Sequence, residues 1–195
     1  MTGTSHPPPL NPTLWRTGKM LAGHTRIKLL RELSSHTGEG VSALGRRVGI
    51  GHAAASQELR RIQSRGLLQS ERQGTLQVYR LAADPQVSSA APLLKAIRSA
   101  LDQFPPERDR EMCVIAAGLA HERRIRIFRF LLGGPCPLRD LPFAVRIPAH
   151  PLQVHLSTLQ AGGFVARVNN QVSATVPNHP LAKALAKLIQ RGAVR

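Results

Sequence analysis

The stretch VGIGHAAASQELRRIQSRGLLQ, residues 48–69, carries the most information about the fold. Glycines near its start interrupt the chain and predict a tight turn. Ala55, Leu59 and Ile62 then recur at helical spacing, which predicts a helix with one buried side. Gly66 stands where a residue in the left-handed conformation ends a helix. The stretch therefore predicts a turn, an amphipathic helix and the first residues of a strand.

The sequence around this stretch repeats itself. At an offset of 98, residues 21–33 match residues 119–131 at six of thirteen positions. After a slip of one residue the match resumes at an offset of 97 and includes Gly66 with Gly163. Chance similarity between two amphipathic helices would not produce a second block at nearly the same offset. The sequence therefore predicts two copies of one unit, with a single deletion in a loop.

Periodicity predicts the same order of elements in both copies. In the first copy, helices are predicted at 12–20, 23–34, 42–48 and 52–65, and a hairpin at 67–71 and 76–81. In the second copy, helices are predicted at 107–120, 122–132, 138–145 and 149–160, and a hairpin at 164–168 and 172–176. Further helices are predicted at 92–104 and 181–190. The predicted fold class is α+β, mostly α with small β-hairpins.

Two prolines divide the chain into domains. Pro105 and Pro106 cannot continue a helix, so we predict one domain at 13–104 and a second at 107–195. Residues 1–12 are rich in proline, which predicts a flexible or polyproline-like N-terminal arm.

The helix predicted at 52–65 has a polar side opposite its apolar side. Arginine forks suit guanine edges and phosphates, amides suit adenine, and small hydroxyls permit close approach. The candidate DNA-binding residues are His52, Ser56, Gln57, Arg60, Arg61, Gln63, Ser64 and Arg72 in the first copy, and Gln153, His155, Ser157, Thr158, Arg167 and Asn169 in the second. The second helix has no arginine between Ile147 and Gln160, which predicts weaker binding. A solvated basic face is the alternative interpretation.

The composition is strongly basic. The chain has 27 Lys and Arg against 11 Asp and Glu, a net charge of +16 and a pI near 11.7. Both copies share the excess, with 13 basic and 5 acidic residues in 1–97 and 14 and 6 in 98–195. Such a charge predicts a nucleic acid or an anionic membrane as partner. No apolar run approaches the roughly 18 residues that span a bilayer, and no signal peptide is evident. We therefore expect a cytoplasmic, nucleoid-associated protein without membrane contact.

Reactive and metal-binding residues form no familiar pattern. Cys113 and Cys136 belong to no close-spaced cluster, which predicts neither a disulfide framework nor a zinc site. No nucleophile elbow, phosphate-binding loop or metal-ligand spacing occurs. We therefore expect no enzyme activity, no metal and no cofactor.

These motifs together resemble the ArsR-like winged helix-turn-helix transcriptional regulators. The resemblance lies in the helix at 21–33, the Val-Gly-Ile turn at 48–50 and the Gly-Leu-Leu at 66–68. A Ser-x-His-Leu core is common in the family's recognition helix. The two copies share it between them, as Ser56-Gln-Glu-Leu59 and Gln153-Val-His155-Leu156. The resemblance implies two tandem winged helix-turn-helix domains, mostly α with small β-hairpin wings and flanking interface helices.

The resemblance also implies a function. We expect a transcriptional regulator that binds double-stranded DNA, with helix 52–65 as the main major-groove reader. Metal sensing is not expected, because 42–48 and 138–145 contain none of the cysteines of metal-sensing members. Family members usually dimerise through their terminal helices, so a fused tandem could form an intramolecular pseudo-dimer, with a homodimer as the other possibility.

Other functions stay open from the sequence alone. The strongest alternative is a winged-helix protein–protein interaction scaffold in a nucleic-acid-associated complex. Such scaffolds need no excess of positive charge, so the net charge of +16 favours nucleic acid. RNA readers usually stack bases on exposed aromatic side chains. The chain has only one Trp, one Tyr and five Phe, which favours DNA over RNA. A small-molecule sensor is the remaining alternative.

Overall fold

Two segments of the chain fold with the same order of elements. The computed structural model describes residues 13–36 and 38–192, so the predicted arm at 1–12 lies outside the described residues. The first segment contains α1 (Leu14–Leu21), α2 (His24–Ser35), β1 (Glu39–Gly40), α3 (Val41–Val48), α4 (His52–Gln63), β2 (Leu68–Gln73), β3 (Leu76–Leu81) and α5 (Ala90–Gln103). The second contains a 3-10 turn (Pro106–Arg108), α6 (Asp109–Gly118), α7 (Glu122–Leu131), β4 (Cys136–Pro137), α8 (Leu141–Val145), α9 (Ala149–Ala161), β5 (Val165–Val168), β6 (Gln171–Ala174) and α10 (Pro180–Gln190).

The mostly helical α+β class predicted from the sequence is confirmed. Observed boundaries agree with the predicted ones to within two residues, except at the start of α8. That helix begins at Leu141 instead of residue 138, because Pro142 fits only the first turn of a helix. The short strands β1 and β4 were missed, since two residues are too few to show alternation.

Each segment has a small antiparallel sheet built on a tight hairpin. The strand orders are β1-β3-β2 in the first segment and β4-β6-β5 in the second. The first hairpin turns through Gly74 and Thr75, between the paired residues Gln73 and Leu76. The second turns through Asn169 and Asn170, both with positive φ, as a type I′ turn requires.

The backbone of the turn before the fourth helix is the same in both segments. Gly49 ends α3 in the left-handed conformation with φ of 76°, and Arg146 ends α8 in that conformation with φ of 52°. The two positions are related by the offset of 97 found in the sequence. A non-glycine residue there costs about 1 kcal/mol of backbone strain. The shared turn sets the direction in which α4 and α9 leave it.

Equivalent helices of the two segments pack against each other. Helix α1 packs on α6, and α5 packs on α10. The close approach of α1 to α6 depends on Gly18, where a Cβ atom would lie 3.1 Å from the carbonyl oxygen of Ala116. A single hydrophobic core runs through both segments, with Phe128 and Phe164 among its largest buried side chains. The two segments therefore contact each other through equivalent helices, as two subunits of a symmetric dimer do.

A buried ion pair joins the segments. Arg31 on α2 donates from Nη2 to Asp109 Oδ1 at 2.6 Å and from Nε to Oδ2 at 3.1 Å. It also donates to the carbonyl oxygens of Leu101 and Phe104, both at 2.9 Å. These carbonyls end α5, while Asp109 begins α6. The guanidinium thus lies between the negative end of one helix dipole and an acidic residue at the positive end of the next.

Candidate nucleic-acid interface

Helix α4 has one continuous exposed stripe. Ala55, Leu59 and Ile62 are fully buried and attach the helix to the core. The exposed residues on the opposite side are Ala53, Ala54, Gln57, Arg60, Arg61 and Ser64. On this side the first turn thus carries two alanines beside the exposed His52, and longer polar side chains follow from Gln57 onward. Small residues at the leading end let a helix enter a groove without steric obstruction.

A cleft of about 540 Å³ lies beside this stripe, between α3, α4 and the first hairpin. His52, Ser56 and Arg60 line it, as do Ser42 and Arg46 from α3. Ser42 Oγ lies 3.0 Å from His52 Nδ1, which holds the imidazole at the beginning of α4. Within the described residues, the Arg46 and Arg60 side chains have no ion pair, so both are available to a ligand. Sequence reasoning missed Arg46, although it lies one turn before the predicted glycine turn.

Four of the five remaining predicted residues of the first segment have local partners, and the fifth, Gln57, is exposed. Arg61 donates to Glu58 at 2.5 Å, and Gln63 donates to Ser70 Oγ at 3.0 Å. Ser64 donates to the carbonyl oxygen of Arg61 at 2.8 Å. Arg72 is exposed on the hairpin and donates to Gly74 O at 3.2 Å. Of the three predicted arginines of this segment, Arg60 and Arg72 therefore lack an acidic partner within the described residues.

The corresponding surface of the second segment is less polar. At the offset of 97, Phe143 replaces Arg46 and Ser157 replaces Arg60. Phe143 is 85% exposed, and Val154 on α9 is 59% exposed. Ser157 donates to a carbonyl oxygen one turn earlier in its own helix, and Thr158 does the same. At these two positions the second segment therefore offers no positive charge to a phosphate.

Three other predicted residues of the second segment lie outside the core, and a fourth does not. Gln153 is exposed and accepts a hydrogen bond from Arg167 Nη2 at 2.9 Å, while Asn169 is exposed in the hairpin turn. His155 is only 9% exposed, because it lies on the buried side of α9 with Leu152 and other core residues. The prediction that His155 contacts DNA is therefore wrong.

His155 occupies the position of Glu58, and this exchange removes an ion pair. In the first segment, Arg26 on α2 donates to Glu58 on α4 at 2.6 Å. Arg124 is the equivalent of Arg26, but it has His155 opposite it. Arg124 Nε and His155 Nδ1 are both buried without a hydrogen-bond partner within the described ranges. The second segment therefore has the arginine but not the carboxylate of this ion pair.

A second histidine packs against His155. The rings of His121 and His155 have centroids 4.7 Å apart, and His121 Nδ1 accepts from the backbone N–H of Arg123 at the start of α7. Burial lowers the pKa of His155, and the neighbouring His121, Arg124 and Arg123 lower it further. Burial also lowers the pKa of His121, as do Arg124, Arg123 and Lys19, although Glu122 raises it. The surroundings of both imidazoles therefore favour their neutral form.

We predict that His155→Glu stabilises the protein at pH 7 by about 1–3 kcal/mol, the usual contribution of a hydrogen bond to a charged group. The new carboxylate would accept from Arg124, as Glu58 accepts from Arg26. The wild type loses stability as pH falls below about 6.5, because the unfolded chain then binds more protons than the folded one. The variant loses less over this range. Urea unfolding between pH 5.5 and 7.5 measures both effects.

Gln160→Glu is the matched control, because it adds a carboxylate on the exposed side of the same helix. It accounts for the general benefit of an added negative charge in a protein of net charge +16. Equal stabilisation by both variants would show that Arg124 needs no carboxylate.

Comparisons of the chain with protein-family models, with curated proteins and with solved structures find no match. Across residues 13–36 and 38–192, no group of three or more His, Cys, Asp or Glu side chains could hold a metal ion. No helix in the same ranges is long and apolar enough to cross a membrane. The local geometry of α4 and its cleft is therefore the main basis for a functional proposal.

Proposed function

We propose that the protein is a DNA-binding transcriptional regulator built from two tandem winged helix-turn-helix domains. The observation that carries this proposal is the exposed stripe of α4, with alanines leading and Arg60 following, beside a cleft that also holds Arg46. A helix of this kind fits the major groove, where small side chains permit approach and arginine recognises guanine or phosphate. The net charge of +16 supports a polyanionic partner.

In this proposal α3 and α4 form the helix-turn-helix, and the hairpin of β2 and β3 forms the wing. Arg72 lies on that hairpin, where it can reach a phosphate beside the groove. Contacts to phosphate position the protein, and contacts to base edges determine the sequence that it reads. Arg60 and Gln57 are the proposed base readers, while Arg46 and Arg72 are the proposed backbone contacts.

We further propose that one chain acts as an intramolecular pseudo-dimer. The packing of α1 on α6 and of α5 on α10 supports this, because equivalent elements meet as they would in a two-fold dimer. The surfaces around α4 and α9 differ in charge, so the proposed target site is asymmetric. Most of its base pairs that determine specificity would contact α4. A measured mass of two chains in solution would contradict the pseudo-dimer.

The exposed Phe143 and Val154 favour a second function for the second domain alone. Apolar side chains at these positions suit contact with a protein better than contact with phosphate. A scaffold role of this domain is compatible with DNA binding by the first. Retention of DNA affinity after Phe143→Ala would support this division.

The test of DNA binding is fluorescence anisotropy with duplex DNA, single-stranded DNA and RNA over a salt series. We expect duplex DNA to bind best, and log K to fall with log salt at a slope of about −4 or steeper, at about 0.9 per phosphate contact. Binding that is absent near 0.1 M salt, or equal for all three nucleic acids, would refute the proposal. If duplex DNA binds best, selection of a preferred duplex from a random pool would identify the target site.

A further inference from the structure

A second basic cleft lies on the other side of α4 from the cleft that contains Arg60. Its volume is about 300 Å³, and it lies between α1, α2 and the C-terminal end of α4. The lining residues are Arg16, Lys19, Met20, Arg26, Arg61, Ser64 and Arg65. Five of these seven side chains are cations, and none of the described acidic side chains is among the lining residues.

The positive charges of this cleft are mostly unneutralised. Glu58 pairs with Arg26 at 2.6 Å and with Arg61 at 2.5 Å. Arg16, Lys19 and Arg65 have no ion pair with any carboxylate within the described residues. Burial lowers the pKa of Arg65, and the charge of Arg16 lowers it further. Holding these cations together therefore costs free energy that a bound anion would offset.

The equivalent helices of the second segment pack closely where this cleft lies in the first, because glycine replaces two of its lining residues. Gly118 stands at the position of Met20, and Gly162 at that of Arg65. A Cβ atom on Gly162 would lie 3.0 Å from Gly118 Cα, so α6 and α9 pack directly together. The equivalent helices are thus in direct contact in the second segment, whereas in the first segment basic side chains line the space between them. The cleft is therefore a feature of the first segment and not a consequence of the fold.

We propose that this cleft binds a phosphate-bearing anion, held by Arg16, Lys19 and Arg65. Several converging cations suit a group with more than one negative charge, and guanidinium forks match phosphate oxygens. Arg60 faces the other cleft, so the site is separate from the proposed base-reading surface. The phosphate can belong to a free oligophosphate or to the backbone of DNA. The site goes beyond the proposed function, because it does not require α4 to read bases.

The test uses isothermal titration of the full chain with inorganic tripolyphosphate, and anisotropy with duplex DNA. We expect one tripolyphosphate per chain, with a Kd that Arg65→Gln raises tenfold or more. Lys95→Gln is the matched control, because it removes one exposed positive charge from α5, which does not line the cleft; we expect less than a twofold change. Arg65 has no ion pair to lose, so thermal unfolding is expected to show a folded variant.

The two assays distinguish the source of the phosphate. Tripolyphosphate binding that Arg65→Gln removes supports a free anion, and it supports the site even if duplex DNA does not bind. If tripolyphosphate does not bind, a DNA salt slope that Arg65→Gln reduces by about one unit, with no change for Lys95→Gln, supports the DNA backbone. Equal behaviour of Arg65→Gln and Lys95→Gln in both assays would overturn the proposal.

Discussion

Asp109→Ala is expected to lower the free energy of unfolding by about 3–5 kcal/mol, the usual loss when one partner of a buried ion pair is removed. Asp109 is 1% exposed, and its carboxylate receives Arg31 Nη2 at 2.6 Å. The variant leaves the guanidinium charge partly buried with only the carbonyls of Leu101 and Phe104 as partners. Urea unfolding at neutral pH measures the change through the midpoint at constant slope.

Two further variants show whether burial and capping explain the loss. Arg126→Ala removes a solvent-exposed pair with Glu122, at 3.6 Å, and we expect it to cost less than about 0.5 kcal/mol. The double variant Arg31→Met with Asp109→Leu removes both charges, which often restores stability. We expect only partial recovery, because two carbonyls at the end of α5 lose their donor. A loss from Asp109→Ala as small as that from Arg126→Ala would contradict the argument.

The position of Arg31 at the end of α5 indicates why an arginine stands at both repeat positions. Arg31 reaches the last carbonyls of α5, the terminal helix of its own segment. Arg129, at the offset of 98, lies beside the C-terminal end of α10, where it lines a cleft with Ile189 and Gln190. Each arginine therefore lies near the negative end of the corresponding helix dipole. The contact to Asp109 is the addition that joins one segment to the other.

The sequence predicted most elements because their signals are local. Ala55, Leu59 and Ile62 are buried as their spacing indicates, and Gly66 ends the turn after α4 with a positive φ. The same spacing rule could have corrected His155, which forms an i, i+3, i+4 pattern with Leu152 and Leu156. The residue type of His155 indicates exposure, whereas its position in the helix indicates burial, and the position decides.

Other features of the site depend on the tertiary structure and have no local signal. Arg124, the equivalent of Arg26, has no carboxylate partner in the second segment. This is evident only from the packing of α7 against α9. The cleft around Arg65 requires three helices to converge. The pairing of Arg61 with Glu58, by contrast, is an i, i+3 contact that the sequence could have indicated. Arg61 is therefore a weaker candidate for base contact than Arg60.

The double variant Arg46→Ala with Arg60→Ala is expected to weaken duplex DNA binding by about 10²- to 10³-fold. Each lost phosphate or base contact costs about 1–3 kcal/mol, and a factor of ten corresponds to about 1.4 kcal/mol. Both side chains line the 540 Å³ cleft, and neither has an ion pair within the described residues, so we expect the fold to be unaffected. Anisotropy at one fixed salt concentration measures the loss, and thermal unfolding checks the fold.

The matched control makes the same change in the second segment, as Phe143→Ala with Ser157→Ala. These residues are at the equivalent positions but carry no charge, so we expect less than a threefold change in affinity. The salt slope should become shallower by about one unit only for the arginine pair, since only these side chains can neutralise a phosphate. Equal losses of DNA affinity in the two double variants would show that the two segments contribute equally to binding. They would remove the reason to expect an asymmetric site.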